Sequence, residues 1–417
     1  MSLTAARYVW HRTPAWLRSQ LAPIIDHAIG TARQRRLRTQ WRRGSPAGDH
    51  IAVVGFHSAV LGLGEGARLH ADALAMAGFD VERIDVGCLL DRAAGECQVI
   101  PVPRNGSTVI SHLNPPELLR YLALTAGSAI SDRRHIGYWA WELPDPPREW
   151  RACFGLVDEV WVPSRFVAQS LRRMAPASTV IRVVPHPVHL SPRAMPDRTR
   201  FGLPPDKVLV LAAMDLRSTL ARKNLDGLLA IVEAAAASTD RSLDFVLKLV
   251  GTAHEPHAYA HLRRRLNRQP AIHLIEGDLA REEMARLVAS IDIVLSPHRA
   301  EGFGLLLAEG MRAGKAVVGT GWSGNVDFMA DGVSVLLDYS LVPVVDPQRR
   351  YSRSRWAEPS VTHAVDVLLE LAADADLRAG MGARASQHLS RVLGDECWVD
   401  LTGLTRPPRA SLAAGFR

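Results

Sequence analysis

The sequence is poor in the features that commit a chain to a membrane, to an extracellular scaffold or to a metal. No apolar run in its 417 residues reaches the roughly 18 needed to cross a bilayer. The opening stretch, MSLTAARYVWHRT, lacks the uninterrupted apolar region of a signal peptide. The four cysteines, Cys88, Cys97, Cys153 and Cys397, show no CxxC spacing. A disulfide framework and a zinc site are therefore not expected, and a reducing, cytoplasmic compartment fits. Aromatic residues make up 6%, charged residues 22% and apolar residues 47%, an ordinary globular composition that excludes a disordered or collagen-like chain. The length exceeds what one compact core accommodates and points to two domains.

The formal charge of +7 is confined to one end. Nine arginines and two acids precede Ile51, which accounts for all of it, and the remainder is balanced. A nucleic-acid surface needs basic residues clustered on the folded body, so nucleic acid is not an expected partner. In the leader, residues 1–49, Leu17, Leu21, Ile24 and Ile25 fall on one helical face among arginines and tryptophans. Residues 1–45 thus offer a surface for peripheral contact with an anionic membrane, with packing on the folded body or a partly disordered leader as the alternatives.

From His50 onward, short β-branched runs alternate with helical segments. One series is 51–56, 81–86, 108–113, 135–141, 159–164 and 181–186. A Pro-rich stretch follows at 185–205. A second series is 208–215, 245–251, 272–277, 291–297, 316–322 and 333–338. Such alternation predicts an α/β protein with two doubly wound parallel-sheet domains facing each other across a cleft, at 50–195 and 205–375. Residues 341–356 read as a loop. The segment 376–417 reads as helical as far as Pro407 and is expected to pack back toward the first domain. Ligands in such sheets sit beyond the carboxyl ends of strands.

The sharpest signal is EGFGLLLAEGMRAGKAVVGT, 301–320, directly after an expected strand. Gly302 and Gly304 permit close backbone approach, and a helix beginning near Leu305 presents free N–H groups to an anion. Glu309 lies about two turns beyond Glu301. Arg217 and Lys223, with Arg222 as an adjacent alternative, follow the strand 208–215 and suit the neutralisation of a diphosphate leaving group. Taken alone, the two glutamates read equally well as a cap and a surface residue, and the cations as a solvated loop.

Together these segments resemble the retaining glycosyltransferases of family 4, which have the GT-B fold: Glu301 and Glu309 match its E-x7-E hallmark, and Arg217 with Lys223 its Arg/Lys pair. The likeness spans roughly 51–340. It implies that Glu301 contacts the donor sugar, that backbone amides of Phe303, Gly304 and Leu305 approach sugar and diphosphate, and that Glu309 binds the ribose. Ser323 and Asn325 stand where many relatives carry Gly-Gly-x-x-Glu, which puts donor identity in question. The resemblance further implies a UDP- or GDP-sugar donor, a glycan or lipid-linked acceptor, retention of configuration and no obligatory metal or cofactor. The implied setting is bacterial polysaccharide or lipopolysaccharide assembly in the cytoplasm, at the inner face of the membrane.

In the first half, Gly62, Gly64 and Ala67 fit the dinucleotide pattern G-x-G-x-x-A, with Asp80 or Asp85 as the ribose acid. That supports a rival NAD-dependent oxidoreductase; the resemblance instead places Gly62 and Gly64 near the donor phosphates. His112 and Glu142 are candidates for the acceptor or sugar. Trp139 is a candidate for sugar stacking, with a core role as the alternative. His186 reads as structural or donor-adjacent. A catalytically silent glycan-binding protein of the same fold is the remaining rival.

Overall fold

The computed structural model describes residues 50–89, 100–125, 129–130, 132–188, 195–237, 243–254, 256–347, 351 and 354–406. The leader and its expected amphipathic helix lie outside them.

All twelve expected strand runs are strands. The first six are β1 (His50–Gly55), β2 (Asp80–Asp85), β3 (Thr108–Ser111), β4 (Arg134–Tyr138), β5 (Glu159–Val162) and β6 (Val180–Val183). They form one parallel sheet in the order β2-β1-β3-β4-β5-β6. The next six are β7 (Val208–Asp215), β8 (Leu243–Val250), β9 (Ile272–Glu276), β10 (Ile293–Ser296), β11 (Ala316–Thr320) and β12 (Val335–Leu337). They form a second parallel sheet in the order β12-β11-β10-β7-β8-β9. The strand order reverses between β1 and β3 in the first sheet and between β7 and β10 in the second. At such switch points the flanking loops diverge and leave a crevice for a ligand.

Helices cover both faces of each sheet. The first domain carries α1 (Gly62–Met76), α2 (Pro115–Leu124) and α3 (Arg165–Arg172). The second carries α4 (Leu220–Lys223), α5 (Leu225–Ala236), α6 (Pro256–Leu266), α7 (Arg281–Ser290), α8 (Leu305–Arg312), α9 (Val361–Ala373) and α10 (Ala375–Val392). Strands buried on both faces explain why runs such as VLVLAAMD are near-continuously apolar. Alternate β8 side chains divide between two cores: Phe245, Leu247 and Leu249 join Leu228 and Ile231 of α5, while Val246 joins Leu287 of α7 and Leu307 of α8.

Beyond α10, helix α11 (Asp395–Thr402) packs on α1 and β6 of the first domain. Trp398 anchors it, fully buried, with Nε1 donating to Pro185 O at 2.6 Å. One expectation is corrected. The supposed loop 341–356 contains most of an antiparallel hairpin, β13 (Tyr339–Pro343) and β14 (Arg355–Pro359). Its inward residue Trp356 packs with Leu143 and Ala300 beneath the junction of the domains. The polar and proline residues of that stretch masked a strand pair whose burial comes from a few residues rather than from a period. Cys88 is disulfide-bonded, a single cross-link where no disulfide framework was expected. Cys153 is buried.

Candidate active site at the two switch points

The loop after β10 is held rigidly. His298, buried at its start, accepts at Nδ1 from Ser296 Oγ (3.0 Å) and donates from Nε2 to Asn325 Oδ1 (3.0 Å). Burial lowers its pKa below the usual value, so it stays neutral. Asn325 completes the brace by donating from Nδ2 to Thr320 O (2.9 Å). Ser323 Oγ accepts from Glu301 N (2.9 Å), and Gly324 N donates to Glu301 O (2.9 Å). A Cβ on Gly324 would run into Gly302 O and Phe303 N. From the first domain, Ser164 Oγ donates to Gly302 O at 2.7 Å. Gly304, at φ +99°, turns the chain into α8 with no side-chain cap, so the first-turn N–H groups of that helix stay available for an anion.

Against this loop stands the short helix α4, at the end of the turn after β7. Thr219 caps it by accepting from Arg222 N (3.0 Å), and Asn224 closes it in the left-handed conformation while capping α5. The two cations at its end reach opposite oxygens of Glu301. Arg222 Nη1 lies 3.2 Å from Oε2, and Lys223 Nζ donates to Oε1. Arg222 also donates to Ala300 O (2.8 Å) and Ser218 Oγ (2.9 Å). Burial alone would raise the Glu301 pKa, but Lys223 and Arg222 hold it down at about 2. Burial would lower that of Arg222, but Glu301 raises it. Glu301 is therefore a fixed carboxylate, an acceptor and not an acid, at any physiological pH.

A cleft of ≈ 990 Å³ runs from this triad between the domains, bordered by Gly62 and Glu65 on one side and Asp215, Lys223, Lys248 and Glu309 on the other. Arg281 bridges its rim, pairing with Glu65 (3.0 Å) and Asp72 (2.7 Å) of α1. Burial, with Glu65 opposite, raises the Glu309 pKa to about 7 against the pull of Arg281.

The structure thus brings Lys223, Glu309 and Gly62 to one cleft, with Glu301 joined to it through Lys223 and with Gly304 and Leu305 opening the helix that carries Glu309. Arg217 is placed differently from its expected partner. Its Nε donates to Asp215 Oδ1 (2.9 Å) and its guanidinium reaches across to Val60 O of the first domain. Arg222 is the second cation on Glu301. Phe303 turns its ring into the core, edge-on to His186 at 5.1 Å, and its backbone N packs against Gly324.

Four expectations need correction. Ser323 and Asn325 are 2% and 0% exposed, and their polar atoms brace the loop instead of offering donor contacts. Trp139 is fully buried against Trp150 and Phe154 and has no face for a sugar. His112, just past the end of β3, is fully buried too, 3.0 Å from His70 Nδ1 and stacked on Tyr138, and is not part of the cleft lining. Glu142 does come near the site. It accepts from Tyr351 OH (3.1 Å) and lies 3.9 Å from Arg222. Tyr351 gave no sequence signal, because it sits in the stretch that read as a loop. Among the described residues no cluster of His, Cys, Asp and Glu has the makings of a metal site, and no helix is long and apolar enough to cross a membrane.

This architecture is the GT-B fold: two Rossmann-like domains with the site between them. Residues 207–350, the second domain up to the hairpin loop, match the family described as glycosyl transferases group 1. Among solved structures, the chain is similar to sucrose-phosphate synthase of Thermosynechococcus elongatus (15% identity, TM-score 0.61, 85% of this chain and 97% of that one). It is similar to Anabaena HepE in complex with UDP-glucose (13%, 0.58, 85% and 98%). It is also similar to a point mutant of S. aureus TarM in complex with fondaparinux, α-GlcNAc-glycerol and UDP (14%, 0.53, 71% and 54%), of which it spans about half the length. No curated protein matches the chain. The match of the second domain and the shared fold together support a glycosyltransferase.

Proposed function

We propose that the chain is a retaining glycosyltransferase that moves a sugar from a UDP- or GDP-sugar to a glycan or lipid-linked acceptor. The observation that carries this reading is the Glu301 carboxylate held between Arg222 and Lys223, beside the uncapped start of α8. Sugar hydroxyls donate to Glu301. The departing diphosphate takes the positive charge of Lys223 and the amides of Gly304 and Leu305, which favour the charge that grows as the glycosidic bond breaks. Glu309, four residues and about 6 Å further along α8, accepts from the ribose. Glu142 and Tyr351 lie on the first-domain side of Arg222, where the acceptor enters. The acceptor attacks the face the diphosphate leaves, so no protein nucleophile is needed. The UDP and UDP-glucose bound by the TarM mutant and by HepE favour a uridine donor. Polysaccharide or lipopolysaccharide assembly, with residues 1–45 touching the inner face of the membrane, is the setting this reading implies.

The NAD reading loses its geometric basis. Gly62, Gly64 and Ala67 all lie inside α1 and not in the turn before it, and Gly64 is needed because a Cβ there would strike Phe56 O and Ala59 O. A silent glycan-binding protein would have no use for the buried triad on Glu301. A thermal-shift panel with UDP, GDP, dTDP, CMP, ADP and NAD tests all three. A nucleoside diphosphate at about 100 Kd adds roughly 2.7 kcal/mol of stability, and the shift should shrink in Lys223→Ala. A shift with NAD alone overturns the proposal.

A further inference from the structure

Lys248 occupies a position on β8 where an apolar residue is expected. Its neighbours on the same strand face, Val246 and Val250, are apolar, and Lys248 itself is 2% exposed while lining the cleft. A buried ammonium is costly unless its charge and donors are used. Nζ donates to Leu249 O (3.1 Å) and Gly277 O. Both partners are backbone carbonyls, and among the described residues no carboxylate lies within ion-pair distance of it. An ammonium has three donors, so one N–H is left for something in the cleft. Ala213 is its cross-strand partner on β7, and the apolar part of the cleft lining, with Val250, Leu279 and Met284, offers a surface suited to the faces of a flat ring. Strand β8 lies two strand spacings, about 10 Å, from β10, whose loop carries Glu301. Glu309 borders the same cleft.

We infer that Lys248 determines the donor's nucleobase: its third N–H donates to the exocyclic carbonyl oxygen that uracil and thymine carry at C4 and guanine at C6. Cytosine and adenine carry an amino group there, which would set donor against donor in a dry pocket. A site built to hydrogen-bond one group rejects a ligand that cannot complete the bond far more strongly than an apolar pocket rejects a change of shape. The inference rests on the nucleotide-sugar reading of the cleft and adds the residue that selects the base.

The test is calorimetric titration of the full chain with UDP, CDP, GDP, ADP and inorganic pyrophosphate, repeated on Lys248→Met. The wild type should prefer UDP over CDP, or GDP over ADP, by at least about tenfold, and the preferred pair names the base. In Lys248→Met that ratio should fall toward one while pyrophosphate binds as before. A purely structural lysine would lower the melting temperature and weaken every ligand alike, leaving the ratio unchanged. Equal affinity within both pairs in the wild type overturns the inference without any variant and leaves the donor site standing. If neither nucleotides nor pyrophosphate bind, the donor site itself fails and takes the inference with it.

Discussion

Lys223, on the turn after β7, donates to Glu301, on the turn after β10, so the two switch-point loops of the second domain are joined by a charged hydrogen bond at the mouth of the cleft. The bond keeps Glu301 ionised and aims both groups before any ligand arrives. Removing either partner should have different consequences. Glu301→Gln keeps the shape but loses the charge that meets the sugar; turnover should drop by roughly 10²–10³ with nucleotide affinity little changed. Lys223→Met should weaken nucleoside diphosphate binding by roughly 10- to 100-fold, the worth of one charged hydrogen bond. Steady-state kinetics and calorimetry on the two variants separate these outcomes, and wild-type turnover in Glu301→Gln removes it from the catalytic machinery.

Glu309 predicts a pH dependence of the opposite kind. Its folded pKa, about 7, stands above its usual 4.5, so between those values the folded chain holds a proton that the unfolded chain has lost. The stabilising contribution is fully present below pH 4.5 and is lost as pH rises through 7, to a maximum of about 3 kcal/mol. Glu309→Gln should therefore melt higher than the wild type at pH 8 and alike at pH 4.5. Because the ionised form accepts ribose hydroxyls better, nucleotide affinity should strengthen as pH rises through 7 in the wild type and stay flat in the variant.

The two-sheet architecture was legible because each strand of the two large sheets announces itself as a compact apolar run between helical periods, most plainly the central strands buried on both faces, whereas β13 and β14 do not. The donor loop was legible because glycines, carboxylates and a helix start fall in fixed order after one of those runs. Arg217 and Arg222 were ambiguous for a physical reason. Both follow β7 within the reach of a long side chain, and which one meets Glu301 depends on the turn of α4, set by Thr219 and the left-handed Asn224. Trp139 and His112 misled because each lies one residue beyond a strand end, where alternation no longer says which side chain turns inward: Tyr138 and Trp139 are both buried, and only Ala140 begins to emerge. Lys248 and Tyr351 left no motif, since each acts through a partner brought in from a distant loop.

The glycines at the start of α1 separate packing from cofactor binding. Gly62 has open space where a Cβ would go, whereas a Cβ on Gly64 would meet two backbone carbonyl oxygens. Gly62→Ala should leave the melting temperature within a degree or two and nucleoside diphosphate binding intact, since surface changes of this kind stay within about 0.5 kcal/mol. Gly64→Ala should destabilise by about 1–3 kcal/mol, the usual cost of overpacking. If Gly62→Ala abolishes nucleoside diphosphate binding, the first glycine touches the donor; only NAD binding in the wild type that is lost in Gly62→Ala would bring the dinucleotide reading back.

Acid should loosen the first domain through its buried histidines. His70 Nε2 faces Pro185 O at 3.3 Å, and a carbonyl only accepts, so that nitrogen carries the proton. His70 Nδ1 then accepts from His112 Nε2, and His112 Nδ1 is left buried with no partner. Protonating His70 would set two N–H groups against each other. Burial, reinforced by the neighbouring imidazoles, holds His70 and His112 well below 6.5, and burial holds His186 at about 3. With folded values below the unfolded one, their contribution is fully present above pH 6.5 and is lost as pH falls toward 3, at about 1.4 kcal/mol per group for each unit. Because Glu309 contributes the opposite slope over part of that range, the measurement belongs in the Glu309→Gln background. There, the urea midpoint should fall steadily from pH 6.5 to 4.5, and less steeply once His70→Asn breaks the imidazole pair. A midpoint constant over that range would mean that these rings gain their protons without cost, and the neutral chain from Pro185 to His112 would have to be abandoned.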